Sequence, residues 1–200
     1  MSDAPGSRAD AGLEGVLAFL REAERLKTVR RSGWTSAGEQ ESVAEHTWRL
    51  CLMALVLYDR DTTVDLGRLL RICLVHDLGE AIGGDIPAPE QRGSKSAEER
   101  DDLLALLAPL PPSVREDIVS LWDDYESGGS REARLAKGLD KLETILQHTQ
   151  GRNPDDFDYR FNLGYGRGHT GHDPLLAEIR ARLDADTVRR AEEAERRGPR

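Results

Sequence analysis

A short segment, residues 72–89, combines an apolar run with four side chains that can bind a metal ion. His76 and Asp77 follow Ile72–Val75 directly, and Glu80 and Asp85 come within the next eight residues or so. Burying imidazole and carboxylate groups beside leucine and valine is unfavourable unless their charge and hydrogen-bonding capacity are satisfied. A divalent cation satisfies both, because neutral imidazole and carboxylate are good ligands for it. The segment therefore indicates a buried metal site.

Adjacent ligands on one stretch of backbone cannot close such a site, so distant partners are needed. His46 is one candidate, because it shares a helical stripe with Val43 and Leu50 and so faces inward. Asp140 is the other, on a predicted helix where its neighbours are small and leave space for a cleft.

Each of these residues has a simpler interpretation when taken alone. His46 could be a hydrogen-bonded core histidine, and His76-Asp77 could satisfy a helix end. Asp140 and Glu80 could be solvated helix positions, and Asp85 could form a turn after two glycines. The conjunction of all these groups favours the metal site, and Glu80 lies on the same helical side as Asp77.

Composition restricts the class of protein. Two hundred residues suit one domain, and a formal charge of −9 argues against a general nucleic-acid or membrane-surface binder. An anionic substrate then requires a local cluster of cations. Cys51 and Cys73 lie in apolar helical patterns and are predicted to be buried free thiols. No signal peptide or membrane-spanning run is apparent, so a cytoplasmic protein is expected.

The rest of the pattern predicts an all-α, single-domain protein without strands. Ser42 and Glu45 form a capping box at the start of one helix, and Asp65 begins another. Residues 1–11 are expected to be disordered, 12–184 to form the domain, and 185–200 to be a charged tail outside the core. Predicted helices cover about 13–29, 43–57, 66–76, 96–107, 113–125, 131–150 and 174–184, with irregular segments at 30–40, 83–94 and 151–172.

The spacing of the candidate ligands resembles a known family. A lone His, an adjacent His-Asp pair and a distant Asp are similar to the metal site of the HD-domain phosphohydrolase superfamily. The segments KTVRRSGW, ESVAEHTW, LVHDLGEAIGGDIP and KGLDKLETIL resemble those of the HD-domain 5′-deoxynucleotidases over about residues 17–183. The resemblance implies that the fold is a single-domain HD-domain helical bundle. The same resemblance extends to the residues of the site. It implies that the metal site contains His46, His76, Asp77 and Asp140, with Glu80, Asp85 and Ile86 belonging to the same site.

These ligands suggest a hydrolytic reaction. Two imidazoles and two carboxylates leave about two open positions on a six-coordinate ion such as Mn²⁺, Co²⁺ or Mg²⁺, with Zn²⁺ as an alternative. One position can hold a water whose pKa the metal lowers, and the other a phosphoryl oxygen. Glu80 can orient or deprotonate that water, or hydrogen-bond a ligand, and Asp85 is the second candidate for this catalytic part.

Substrate-binding candidates precede the first ligand. Arg31 is the best candidate for holding a phosphate in bidentate fashion, with Arg30 and Lys27 as substitutes, and Lys141 is another cation beside Asp140. Trp34 can present a rigid face to the sugar or base, or it can simply cover the core.

Three functions are therefore compatible with the sequence. The first is a nucleotidase that removes phosphate from deoxynucleoside 5′-monophosphates. The second is an HD phosphohydrolase of another small nucleotide or phosphoester, and the third is a non-catalytic nucleotide-binding protein. Cyclic-nucleotide phosphodiesterases and di-iron oxygenases of the HD-domain superfamily usually take extra His ligands for a second metal from the interval between Asp77 and Asp140. This sequence has no His there, so the resemblance favours a mononuclear site. The resemblance also implies a homodimer, whose only other partner is a small nucleotide substrate.

Overall fold

A computed structural model describes residues 5–86 and 95–197, and helices account for most of them. No helix within these two ranges is both long enough and apolar enough to cross a membrane. The predicted irregular segment 83–94 falls largely outside the described residues. The elements are α1 (Pro5–Ala23), a 3₁₀ turn (Glu24–Lys27), β1 (Arg30–Trp34), β2 (Gln40–Ser42), α2 (Val43–Tyr58), α3 (Leu66–Val75), α4 (Glu80–Gly83), α5 (Lys95–Leu107), α6 (Pro112–Ser127), α7 (Arg131–Gln150), α8 (Phe161–Gly164), α9 (Arg167–Thr170) and α10 (Pro174–Arg197).

Helix α7 lies at the centre of the fold, where it packs against α2, α3, α6 and α10. Its leucines at 135, 139 and 142 are buried, as their helical spacing predicts. They pack with apolar side chains of α2 and α3, among them Leu50 and Ile72, to form the main core. A smaller apolar cluster around Leu103 and Trp122 joins α5 and α6. The prediction of an all-α single domain is confirmed, with one small sheet added.

The helix starts that carry the site are fixed by side-chain caps. Ser42 begins α2 and forms the predicted capping box, because its Oγ accepts from the Glu45 N–H while its own N–H donates to Glu45. Asp65 caps α3 by accepting from the Arg68 N–H, and Ser130 caps α7 by accepting from the Ala133 N–H, each with its side-chain oxygen. The predicted turn before α7 contains Gly128 at φ 62°, a left-handed conformation that suits glycine.

The prediction of a loop without strands at 30–40 is wrong. Strands β1 and β2 pair in antiparallel fashion, with Arg30 opposite Ser42 and Trp34 opposite Gln40. The hairpin packs on α7, where the Gln147 side chain donates to the carbonyl oxygen of Trp34. Gly33 lies so close to α7 that an added Cβ would be 3.0 Å from the Gln147 side chain. These short polar strands form because they contact α7. They have no alternation of apolar residues, which is the pattern that would have predicted strands from the sequence.

The last helix does not end near Asp184 as predicted, but continues to Arg197. Thr187 and Ala191 are buried on its second half, and Arg190 donates to the carbonyl oxygen of Gly151 at 2.7 Å. Small or polar side chains make this contact, so no apolar stripe announces it. At the other end of the chain, α1 begins at Pro5 and includes residues 5–11, for which the composition predicted disorder. Residues 151–172, predicted to be a loop, include the short helices α8 and α9.

Candidate metal centre

All four predicted ligands meet at one place beside the middle of α7. His46 comes from α2, His76 and Asp77 from the end of α3, and Asp140 from α7. His46 Nε2 lies 3.3 Å from Asp140 Oδ1 and 3.9 Å from Asp77 Oδ2. His76 Nε2 lies 3.1 Å from Asp77 Oδ2 and 4.0 Å from Asp140 Oδ1. Ligand atoms that share one cation at about 2 Å stand about 3–4 Å apart, so this spacing fits a single ion.

The two histidines present free ligand atoms to this cluster. Both rings are almost completely buried, and neither Nε2 atom has a hydrogen-bond partner among the described residues. Their Nδ1 atoms are occupied, that of His46 by Glu143 and that of His76 by the carbonyl oxygen of Cys73 at 2.8 Å. A ring that donates from Nδ1 keeps a lone pair on Nε2. Two buried nitrogen lone pairs and two carboxylates that face one another form a set of ligands suited to a divalent cation.

Asp140 is held so that one oxygen remains for the cluster. Its Oδ2 accepts from the hydroxyl of Tyr125 at 2.9 Å and from Lys141 Nζ at 2.7 Å. Its Oδ1 faces the two imidazoles. Burial favours the neutral acid, but Lys141 and His46 hold the pKa of Asp140 well below its usual range. The carboxylate is therefore anionic where a metal ligand must be.

The cluster as a whole attracts positive charge. Burial and the charge of Arg31 lower the pKa of His46, yet Glu143 and Asp140 outweigh them and raise it to about 9. Burial likewise opposes ionisation of Asp77, but His76 and Arg31 hold the pKa of Asp77 below the usual range for a carboxyl group. A cation bound between these groups would replace the proton that the field otherwise favours.

Arg31 lies at the edge of the centre and is the predicted cation that the fold places there. Its Nη1 donates to Asp77 Oδ2 and its Nη2 to Thr144 Oγ1, both at 3.2 Å. Of the two substitutes, Arg30 is exposed and donates to the carbonyl oxygen of Gln40, and Lys27 is exposed beside Glu24. The hairpin therefore turns Arg31 inward and Arg30 outward.

Glu80 and Asp85 follow the His-Asp pair on α4 and after it. Glu80 begins α4 and is 5% exposed, and its N–H donates to the carbonyl oxygen of Asp77. Asp85 and Ile86 come after Gly84, whose φ of 79° turns the chain. Burial lowers the pKa of Arg31, but the charges of Asp77, Asp140, Asp85 and Glu80 together raise it. Both predicted catalytic carboxylates, Glu80 and Asp85, are thus close enough to Arg31 to interact electrostatically with its guanidinium.

The two remaining candidates differ in their environment. Lys141 pairs with Asp140, and its Nζ lies 5.3 Å from the centre of the Tyr165 ring. Burial opposes its charge, but Asp140 raises the pKa of Lys141 above its ordinary value, so the amine is cationic. Trp34 is half-buried at the end of β1, where its backbone carbonyl binds Gln147.

Sequence reasoning missed the residues that support the ligands. Glu143 and Arg49 lie three residues after Asp140 and His46 respectively, so helical spacing could have placed them on the same side as the ligands. Glu41 is buried between Arg31 and Arg49. Tyr125 gave no signal, because its spacing on α6 is that of an ordinary core residue. The prediction for the cysteines is confirmed in part: both are free thiols, Cys73 buried and Cys51 half-buried.

Comparisons with known proteins agree with this geometry. An HD domain family profile matches residues 23–180. The human 5′-deoxynucleotidase HDDC2 is 35% identical over 74% of this chain and 77% of its own length. The bovine 5′-deoxynucleotidase HDDC2 is 34% identical over 88% of this chain and 87% of its own.

Solved structures show the same fold. A predicted metal-dependent phosphohydrolase from Magnetospirillum magnetotacticum superposes with a TM-score of 0.73 at 26% identity, over 94% of this chain and 97% of that one. The cyanophage S-2L HD phosphohydrolase DatZ, which was solved with dA and one catalytic Zn²⁺ ion, has a TM-score of 0.54 at 22% identity, over 86% of this chain and 96% of that one. On the match to the family profile and to these relatives, the chain belongs to the HD domain family.

Proposed function

We propose that this protein is a metal-dependent 5′-deoxynucleotidase, which hydrolyses deoxynucleoside 5′-monophosphates to deoxynucleosides and phosphate. One observation carries the proposal: two buried imidazole Nε2 atoms, which have no hydrogen-bond partner within residues 5–86 and 95–197, converge with the carboxylates of Asp77 and Asp140 directly beside the guanidinium of Arg31. Curated relatives that match this chain over most of its length are named 5′-deoxynucleotidases, which favours this phosphoester class.

The ligands proposed for the metal are His46, His76, Asp77 and Asp140. A divalent cation held there supplies Lewis acidity toward a phosphoryl oxygen and lowers the pKa of a water molecule. Manganese, cobalt and magnesium remain the predicted ions, with zinc as the alternative, because this mixed set of nitrogen and oxygen donors accepts all of them. Asp85 and Ile86 are proposed as part of the same site because the family resemblance includes this Asp-Ile pair.

The other residues of the site bind and orient the reactants. Arg31 donates to the phosphate, because each of its terminal nitrogens carries a second N–H beyond those given to Asp77 and Thr144. Lys141 is the second proposed cation, and its bond to Asp140 keeps it within the site. Both charges oppose the negative charge that builds up on the phosphoryl oxygens in the transition state.

Proton transfer is proposed for Glu80. A water oxygen attacks phosphorus, Glu80 accepts the proton that this water loses, and the bond between phosphorus and the 5′ oxygen breaks. The departing 5′ oxygen takes up the proton that Glu80 accepted, so phosphate and a deoxynucleoside leave and Glu80 is again a carboxylate. Asp85 is the substitute if Glu80 instead holds the metal. Burial of Glu80 beside the ligands fits this role, since a general base must reach the attacking water.

The predicted homodimer has support from an exposed apolar surface. We define the α2 outer face as Trp48, Leu52, Leu55 and Val56, which are 67%, 41%, 41% and 67% exposed. They recur at helical spacing opposite the buried residues of the same helix, and an apolar helix face of this kind is normally covered. A second copy of the chain is the occupant proposed here, and a cytoplasmic location remains a prediction.

Phosphate release tests the function directly. The protein is stripped with a chelator, reloaded separately with Mn²⁺, Co²⁺, Mg²⁺ or Zn²⁺, and given matched ribo- and deoxynucleoside 5′-monophosphates. We expect release from the deoxy substrates only when metal is restored. No release with any of the four metals would reject the function.

The proposed role of Trp34 is to fill the space that a 2′-hydroxyl would need. We therefore expect Trp34→Ala to narrow the difference in kcat/KM between dAMP and AMP by raising kcat/KM for AMP. An equal loss of kcat/KM for both substrates would assign Trp34 to packing or base stacking.

A further inference from the structure

His46 must carry its ring proton on a particular nitrogen if it is to bind a metal. The ring is 0% exposed, its Nε2 faces the carboxylates of the centre, and its Nδ1 faces Glu143. An imidazole binds a cation only through a nitrogen that has no proton, so the proton must stay on Nδ1. Inside the protein, the group that faces Nδ1 decides between the two tautomers.

Glu143 is held rigidly in that position. It lies on α7 one turn after Asp140 and is 0% exposed. Its Oε2 accepts from His46 Nδ1, and its Oε1 accepts from Arg49 Nε at 2.6 Å. Each of the two carboxylate oxygens therefore faces one N–H donor and acts as its acceptor. An anionic acceptor stabilises a proton on the facing nitrogen.

The other histidine of the centre does not depend on a side chain in this way. His76 donates from Nδ1 to the carbonyl oxygen of Cys73, one turn earlier in the same helical segment. The backbone thus fixes the tautomer of His76, whereas a carboxylate on a different helix fixes that of His46. This difference makes the role of Glu143 accessible to mutation.

Glu143 could instead be read as a ligand of a second cation, because Glu41, His46 and Glu143 place one ligand atom each within 4.8 Å of one another. Two arginines already occupy the surroundings of these carboxylates. Arg49 bonds Glu143 and lies 4.0 Å from Glu41, and Arg31 Nε lies 3.8 Å from the other oxygen of Glu41. Since His46 Nδ1 is also bonded to Glu143, no nitrogen of His46 is available to bind a second cation beside Glu41 and Glu143.

We propose that Glu143, held by Arg49, is a positioning residue that keeps the proton of His46 on Nδ1 and thereby presents Nε2 as a metal ligand. The inference rests on the proposed metal-dependent function and extends it to the residues behind the ligands. Arg49 contributes by holding the carboxylate of Glu143 where His46 can donate to it.

Metal affinity is the direct test. Cobalt dissociation constants are measured by chelator competition for wild type, Glu143→Ala and Glu143→Gln. Loss of a hydrogen-bond partner behind a metal ligand typically weakens metal binding about 10–100-fold, and we expect Glu143→Ala to fall in that range. Glu143→Gln has the same size and keeps a neutral acceptor, so we expect an intermediate loss. Cobalt affinity equal to wild type in both variants would overturn the proposal.

Proton NMR of the zinc-loaded protein separates positioning from a general loss of structure. In wild type, the proton on His46 Nδ1 should resonate far downfield, because its acceptor is a carboxylate. In Glu143→Gln it should move upfield while the rest of the spectrum is retained. If the wild-type spectrum contains no such proton for His46, the proposed hydrogen bond is wrong, and this holds even if neither variant folds.

A matched control uses the same helix. Glu132 lies in the first turn of α7, where it accepts from the Asp65 N–H at 3.1 Å, and Glu132→Gln should retain wild-type cobalt affinity. Phosphate release from dAMP distinguishes the two proposals. If cobalt affinity falls in the Glu143 variants but no protein hydrolyses dAMP, positioning stands and the nucleotidase function fails. If dAMP is hydrolysed and cobalt affinity is unchanged, the reverse holds.

Discussion

At the scale of single residues, the side chains whose types suggested a metal site are the ones that the fold brings together. His46, His76, Asp77 and Asp140 were found because a His or Asp in an apolar helical stripe demands compensation. Glu143 is just as deeply buried as His46, yet it was missed. Its neighbour Lys141 and the charged character of the KGLDKLETIL segment make a carboxylate there look like an ordinary solvated position. The sequence identifies groups that bind an ion more readily than groups that orient those ligands.

Glu80 carries the sharpest prediction at this scale. Glu80→Gln should keep one metal per chain but lower kcat by ~10²–10⁴-fold, because the amide cannot accept the proton of the attacking water. Metal content by elemental analysis and steady-state kinetics on dAMP check the two halves of the prediction separately.

The control for this substitution is Glu116→Gln, at an exposed position of helix α6, which should leave both quantities unchanged. If Glu80→Gln loses its metal together with its activity, Glu80 is a ligand, and the role of proton acceptor passes to Asp85.

At the scale of elements, the helices were predictable where an apolar stripe or a cap marks them. Helices α2, α3 and α7 begin at Ser42, Asp65 and Ser130, and the first two caps were read from the sequence. The hairpin and the second half of α10 were not predicted, because both depend on contacts with residues far along the chain. Gln147 holds the end of β1, and Arg190 ties α10 to Gly151. Such contacts leave no periodic signal in the strand or helix that receives them.

The cap of α2 should matter for stability more than for metal content. Ser42 is 2% exposed, and its Oγ accepts from the Glu45 N–H at 3.2 Å one turn before His46. Ser42→Ala should lower the free energy of unfolding by about 1 kcal/mol, the usual effect of losing an N-cap. Urea unfolding of the metal-free protein measures it.

Ser36→Ala, in the exposed turn of the hairpin, is the control and should change the free energy of unfolding by less than about 0.5 kcal/mol. Since the rest of α2 stays packed against α3 and α7, Ser42→Ala should still bind one metal per chain. If Ser42→Ala unfolds at the same urea concentration as wild type, the capping box adds nothing to the stability of α2.

At the scale of the whole molecule, α2 is apolar on two sides, and only one of them packs in the core. Its inner side contributes Leu50, Ala54 and Tyr58 to the main cluster, and of these Leu50 lies on the stripe that the sequence predicts to face inward. The α2 outer face could not be distinguished from a second buried side by sequence, because apolar residues at both sets of positions simply indicate a buried helix. The structure shows that this face is exposed in one copy of the chain, and it is the surface on which we propose that a second copy binds.

If a second copy covers the α2 outer face, Trp48→Glu should separate the dimer. Trp48 is 67% exposed in the single chain, and an interface that buries it would contain a large aromatic side chain, the type that most often dominates binding energy. Loss of such a residue typically costs about 2 kcal/mol or more, which corresponds to a dimer dissociation constant about 30-fold higher. Sedimentation equilibrium over a range of concentrations should therefore show a dimer for wild type and a shift toward monomer for Trp48→Glu. Arg182→Gln, on the exposed surface of α10, lowers the net charge by the same one unit and should leave the dimer intact. A wild-type protein that sediments as a monomer, or a Trp48→Glu variant that dimerises as wild type does, would show that a second copy does not cover this face.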